Sequence, residues 1–321
     1  MPLLSSSTCY GTGRIIRNSA IYGYAMGGAT AAGAGVSTTD KVTFSTSTTA
    51  ASTTANISQA RFQLTSVSDG AVYGYALGGS TGAVVATADR ITFSTGTTAA
   101  FSAANISTAR TTLAGLSDGF FYGYVLGGST TISSADYVAT ADRVTFSTGA
   151  TAAYTAANLS QARSFVSGIS DAFIYGYAVG GLTSAVVATA DRVTFSTGAT
   201  AAYTAANLSQ ARDFPCSVSD NRIYGYVLGG STTVQVTTAD RIAFSTGTTA
   251  AYTAANLSSA RRGIANISDG AVYGYAAGGS TGAVVVTTDR ITFSSSTTAA
   301  FTSANLSQAR NGLTGLADMA V

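Results

Sequence analysis

The sequence has no His, no Trp and no Glu; all 14 acidic residues are Asp, and Lys41 is the single Lys. Without His or Glu, the usual nucleophile and base arrangements, the common zinc sites and a sialidase-type Tyr and Glu pair cannot be assembled. Catalysis is therefore not expected, and neither is a metal or a cofactor. Cysteine is scarce as well: Cys9 and Cys216 stand far apart in the chain and read as two small thiols unless the fold brings them together. Charged residues make up only 9% of the chain, 16 basic against 14 acidic, which leaves no basic stripe to track phosphates. Nucleic acid is not an expected partner. No run of 18 apolar residues is present, and the opening MPLLSSSTCYGTGR lacks the basic flank and apolar stretch of a secretory signal. Neither membrane insertion nor signal-directed secretion is expected.

What the sequence does have is repetition. YGY recurs with its first Tyr at Tyr22, Tyr73, Tyr122, Tyr175, Tyr224 and Tyr273, at intervals of 51, 49, 53, 49 and 49 residues. Residues 138–163 and 187–212 are the same 26 letters, VATADRVTFSTGATAAYTAANLSQAR. A period near 50 suits a four-stranded blade. Each unit breaks into short strands between turn signals: TLAGLSD, a tight SDG turn, FFYGYVLGG, then ADRVTF and TAAYTAANLS joined across TGAT. No stretch shows the 3.6-residue apolar period of a helix. The chain is expected to be all-β, a single six-bladed propeller over residues 19–321 preceded by an arm at 1–18.

The strand IYGYAVGG at 174–181, followed by ADRVTF at 190–195, resembles the double-glycine second strand and the third strand of the kelch repeat of β-propellers. The fourth-strand Trp typical of kelch is missing. Phe101, Tyr154, Tyr203, Tyr252 and Phe301 stand near its place, with Ser52 in the first unit. The Ser/Thr/Ala/Gly-rich style, GG then AD(R/K) then NLSxAR, is also similar to repeats of bacteriophage structural proteins and of cyanobacterial proteins.

The end of the chain, NGLTGLADMAV at 311–321, repeats TTLAGLSDGFF at 111–121, so a first strand stands there with no second strand after it. GTGRIIRNSAI at 11–21 falls in the same phase. We predict that residues 311–318 complete the first blade beside the strand at 20–28, closing the ring with strands from both chain ends and removing an exposed sheet edge. Residues 11–18 are the competing choice.

Charges are copied with the unit. Asp40, Asp89, Asp142, Asp191, Asp240 and Asp289 open the third strands, each followed by Lys41 or an Arg, and Arg61, Arg110, Arg163, Arg212, Arg261 and Arg310 end the AR segments. A second Asp recurs in the SD turn, so 24 of the 30 charges are repeat positions. A single active site needs one asymmetric place, and charges present in every blade do not supply it. The third-strand Asp and the AR Arg are read as pins between strands or blades, and the SD Asp as a turn residue bonding its own backbone. The YGY tyrosines and third-strand phenylalanines are read as stacking between blades. The Asn of N(I/L)S are repeat letters rather than glycan acceptors.

Function is expected where the copies differ. From the second Gly of GG to the third-strand Asp the count is 12, 10, 14, 10, 10 and 10, so all length variation lies in the loop between second and third strands. The longest, STTISSADYVAT, puts forward Ser133, Ser134, Asp136 and Tyr137 as ligand-binding candidates. A second irregular place is RDFPCSVSDNR at 212–222, where Asp213, Pro215 and Arg222 depart from the other units. The expected function is that of a non-catalytic structural or interaction protein, a phage virion component in a capsid decoration, tail, baseplate or fibre. Its partners would be other virion proteins or a host-surface receptor, with oligomerisation through the arm as a further option. The alternative is a glycan-binding propeller, a lectin or adhesin at the cell surface or outside it.

Overall fold

The computed structural model describes residues 20–31, 33–132 and 136–318. They form six four-stranded antiparallel sheets arranged as the blades of a β-propeller. In the second blade the strands are Thr65–Ser68, Tyr73–Leu77, Ala88–Thr92 and Thr97–Ala100, followed by a single 3₁₀ turn at Ser102–Ala104. First strands of neighbouring blades contact one another around the axis. The first blade is assembled from both chain ends: Thr314–Ala317 pairs with Tyr22–Met26, which pairs with Thr39–Thr43 and through it with Thr48–Ala51. The predicted closure by residues 311–318 is thus the observed one. The arm at 1–18, and with it Cys9 and the competing segment 11–18, lies outside the described residues.

The hairpin turn is rebuilt across the chain gap. In an unbroken blade Asp69 Oδ1 accepts from the N–H groups of Ala71, Val72 and Tyr73 at 2.7–2.9 Å. In the first blade Asp318 Oδ1 accepts from Ile21 and Tyr22, both at 2.8 Å, although those residues sit at the other end of the sequence. The GG pair that ends each second strand has a backbone reason. Gly27 and Gly28 have φ of 66° and 103°, and Gly28 N–H donates to Arg61 O at 2.8 Å, a bend that a Cβ would strain.

Each AR Arg reaches into the following blade. Arg61 Nη1 donates to Gly78 O (2.7 Å) and Thr87 O (2.6 Å), and Nη2 pairs with Asp89. The same clamp joins Arg110 to Asp142, Arg163 to Asp191 and Arg261 to Asp289, and Arg310 to Asp40 across the closure. Arg212 pairs with Asp240 in a turned form, with Nη1 2.8 Å from the carboxylate and Nη2 donating to Val227 O at 2.9 Å. The partner of each Arg is therefore the Asp of the next unit, and the constant 21-residue separation within a unit is not the pairing distance. All twelve side chains are buried. Burial pushes the guanidinium pKa down at Arg61, Arg110, Arg163, Arg212 and Arg310, and the facing carboxylate pushes it back up. The N(I/L)S segment supports the clamp: Ser58 N–H donates to Asp89 Oδ1 at 2.9 Å, while Asn56 Oδ1 accepts from Thr39 N–H at 2.8 Å. Those asparagines thus hold the third strand to the turn after the fourth.

Aromatics bind blade to blade as expected. Tyr24 stacks on Phe93, Tyr75 on Phe146, Tyr124 on Phe195, Tyr177 on Phe244, Tyr226 on Phe293 and Tyr275 on Phe44, with centroids 5.8–6.3 Å apart. The Arg after each third-strand Asp points to the other face and lies between two rings: Arg90 is 4.3 Å from the centroid of Tyr73 and 3.8 Å from that of Phe101. The residues near the missing Trp place supply the second ring of this sandwich. In the first blade Lys41 covers Tyr22 alone, because Ser52 stands where the other ring would be.

The buried phenols give the fold an alkaline limit. Burial pushes Tyr24, Tyr124 and Tyr177 from the ordinary 10.0 up to about 12, and Tyr75, Tyr226 and Tyr275 upward as well. Because the folded-state values are raised, stability from keeping these phenols neutral is whole below pH 10 and is lost as pH rises through about 12. Tyrosinate absorbance and far-UV circular dichroism should change together in that window. Ionisation of these six phenols at pH 10 with the fold intact would contradict it.

Candidate ligand-binding face

Two residues follow each AR Arg on the way into the next first strand: Phe62 and Gln63, Thr111 and Thr112, Ser164 and Phe165, Asp213 and Phe214, Arg262 and Gly263, Asn311 and Gly312. The first of each pair forms an antiparallel bridge to the residue after GG, such as Phe62 to Ser80. The second has φ between 51° and 64° in all six copies. That left-handed conformation is costly for Gln63, Thr112, Phe165 and Phe214, and a closed hydrogen-bonded circuit holds it. Each of these six N–H groups donates to the corresponding carbonyl of the preceding blade, Gln63 to Gly312, Thr112 to Gln63, Phe165 to Thr112, Phe214 to Phe165, Gly263 to Phe214 and Gly312 to Gly263, at 2.5–3.3 Å. The backbone here is fully committed. The side chains vary, and at the first position all six differ.

Over this circuit opens a depression of about 750 Å³, walled by the second-to-third-strand loops of the first, fourth and sixth blades. Phe62, Gln63, Phe165, Asp213, Phe214 and Arg262 line it, with Asn311 at its edge. The rings of Phe165 and Phe214 meet at 4.8 Å with planes 56° apart. Phe214 leans over two glycines: a Cβ at Gly263 would stand 3.0 Å from its Cε1, and one at Gly312 3.7 Å from its Cζ. Large side chains on one side of the circuit and none on the other make a lopsided bowl from a nearly symmetric ring.

Electrostatics sharpen the asymmetry. Of the six charges outside the repeat, Asp213 and Arg262 meet at this depression, and among the described residues they are its only acid and only base. Asp213 is 9% exposed, and its Oδ1 is buried with no donor. Burial pushes the Asp213 carboxyl pKa up, and the Arg262 charge pulls it down, yet the two form no ion pair within 4.0 Å. Such a site can stack, accept and donate. Among the described lining residues Asp213 is the single carboxyl, with the hydroxyls of Thr30 and Ser280 also on the wall. Among the described residues no group of three His, Cys, Asp or Glu is placed to hold a metal ion.

Of the residues put forward from loop length, Asp136 and Tyr137 lie elsewhere. Ser133 and Ser134 are outside the described residues. Asp136 is exposed, its carbonyl accepting from Thr130 N–H at 3.2 Å. Tyr137 bridges to Ser129, the place that Val84, Val186, Gln235 and Val284 hold in other blades, so it is a repeat position with a new side chain. Neither Asp136 nor Tyr137 lines the depression. The irregular stretch at 212–222 is split by the fold: Asp213 reaches the depression, while Arg222 is exposed on the opposite face. Cys216 in its first strand is buried, which pushes its thiol up to about 12.

A further feature went unread in the sequence. Ile21, Val72, Phe121, Ile174, Ile223 and Val272, each just before YGY, form a ring on the face opposite the depression and are 45–70% exposed. An apolar letter between a turn and a strand in all six copies was its signal. No family model matches the sequence, and no curated protein does.

Proposed function

We propose that the protein is a non-catalytic attachment module of a phage particle, with its apolar face toward other virion proteins and its axial depression toward the host surface. The carrying observation is the division of labour between the faces. One presents a repeated ring of exposed apolar side chains, the kind of surface that marks protein contacts; the other presents a concave place where the blades differ. Twelve of the 16 basic and 12 of the 14 acidic residues are repeat positions serving clamps, ring sandwiches and turns, leaving little for chemistry. The Ser/Thr/Ala/Gly-rich, kelch-like style of the repeats, similar to that of phage structural proteins, supports the particle as its setting.

Gradient-purified particles from the producing host should carry the chain, and antibody labelling should find it on their outer surface. Replacing Ile174 and Ile223 by Asp should leave the circular dichroism and melting of the isolated chain nearly unchanged, since both residues are more than half exposed, while incorporation into particles falls at least tenfold. Particles that lack the chain, or that take up the double variant as readily as the parent, would refute the assignment.

A further inference from the structure

We propose that the axial depression is a saccharide site, in which a neutral pyranose lies with its apolar face on Phe165 and Phe214 and gives neighbouring hydroxyls to Asp213. It rests on the attachment reading only in taking this face as the one turned toward a receptor.

Asp213 is the first reason. A carboxylate oxygen that is buried with no donor is costly; Asp240 Oδ2 and Asp289 Oδ1 share that state, but each of those carboxylates is paired with a clamp Arg, whereas Asp213 has no ion pair. The same place in the circuit is filled by Ser164 and Thr111 in other blades, with the same backbone bridge, so the ring has no need of an acid there. A hydroxyl brought from outside the chain would supply the donor that this carboxylate lacks.

Charge selects the kind of donor. A cationic ligand drawn to Asp213 would meet Arg262, and an anionic ligand drawn to Arg262 would meet Asp213, since both line the same depression. A neutral polyhydroxyl molecule satisfies both, because each hydroxyl can donate to a carboxylate or accept from a guanidinium. Gln63 and Asn311 add two side-chain amides that do either. Half-buried Phe165 and Phe214, with Phe62 across the bowl, offer rings to the C–H face of a sugar. The volume of about 750 Å³ lies within the roughly 300–1,000 Å³ typical of small-molecule sites and is large enough for more than one sugar ring.

The test uses the full chain on an array of immobilised oligosaccharides built from neutral hexoses and N-acetylhexosamines, with the same chain scored in parallel for binding to host cells. Two variants borrow what sister blades already carry at the same backbone place, Asp213→Ser from Ser164 and Phe214→Gly from Gly263. A third, Tyr137→Val, borrows from Val84 in the longest loop. The parent should retain at least one glycan, Asp213→Ser and Phe214→Gly should each weaken that binding tenfold or more with melting temperatures near the parent's, and Tyr137→Val should match the parent. Glycan binding that survives in both circuit variants, or that is lost with Tyr137→Val, overturns the site. Cell binding with no glycan retained overturns the saccharide and leaves the attachment module standing; absence of both overturns the two together.

Discussion

Arg310→Met should cost the folded state about 3–5 kcal/mol, read as a lower urea midpoint with an unchanged slope. The size follows from what the substitution leaves behind. Arg310 is buried and holds Asp40, Gly27 O and Thr38 O, the last two at 2.5 Å. Removing the guanidinium leaves a buried carboxylate without its counter-charge and takes a donor from Gly27 O, while Thr38 O keeps the Gly27 N–H at 2.9 Å; breaking one side of a buried pair costs about that much. Adding Asp40→Leu to Arg310→Met should recover part of the loss, because the unpaired charge goes too, although Ser307 N–H, which donates to Asp40 Oδ1 at 3.2 Å, then loses its acceptor. Equal stability of the single variant and the parent would mean that the clamps do not hold the blades.

A chain ending at Arg310 should lose cooperative folding at ordinary temperatures. It lacks the innermost strand of the first blade and with it Leu313, Leu316 and Ala317, all buried. Two large apolar side chains at about 1.5–3 kcal/mol each, plus a strand's hydrogen bonds, approach the roughly 5–15 kcal/mol that a domain has in total. The truncation also opens the Gly312 link of the axial circuit and removes Asp318, which organises Ile21 and Tyr22. A melting transition like the parent's would show the closing strand to be dispensable. Supplying residues 311–321 as a separate peptide should restore part of the transition, since the gap it fills lies between chain ends.

Much of the architecture was legible in the sequence because the unit states it six times. Period, turn letters and alternation gave six four-stranded blades, and the phase of residues 311–318 gave the closing strand. The clamp was legible only in part. Identical spacing in every copy shows that Asp and Arg are both required but cannot tell a partner in the same unit from one in the next; only the arrangement of blades puts Arg61 against Asp89. The depression was hidden for a different reason. Loop length drew attention to Asp136 and Tyr137, whereas the floor of the depression lies where length is constant and only letters change, because the axial circuit fixes the backbone there. Asp213 carried the one usable signal as an acid outside the repeat, and Phe165, Phe214 and Arg262 acquire meaning only once the blades meet at the axis.

The circuit of six hydrogen bonds under the depression has an electrical consequence. Each link runs from the N–H of one residue to the C=O of its counterpart in the preceding blade, so the bond dipoles follow a closed loop rather than a common direction. Around such a loop their components in the plane of the ring cancel. The floor of the bowl is thus unlike the end of a helix, where aligned dipoles favour an ion of one sign. Among the described residues the charges of the bowl are those of Asp213 and Arg262, and exchanging those two side chains would reset its sign preference without touching the frame beneath.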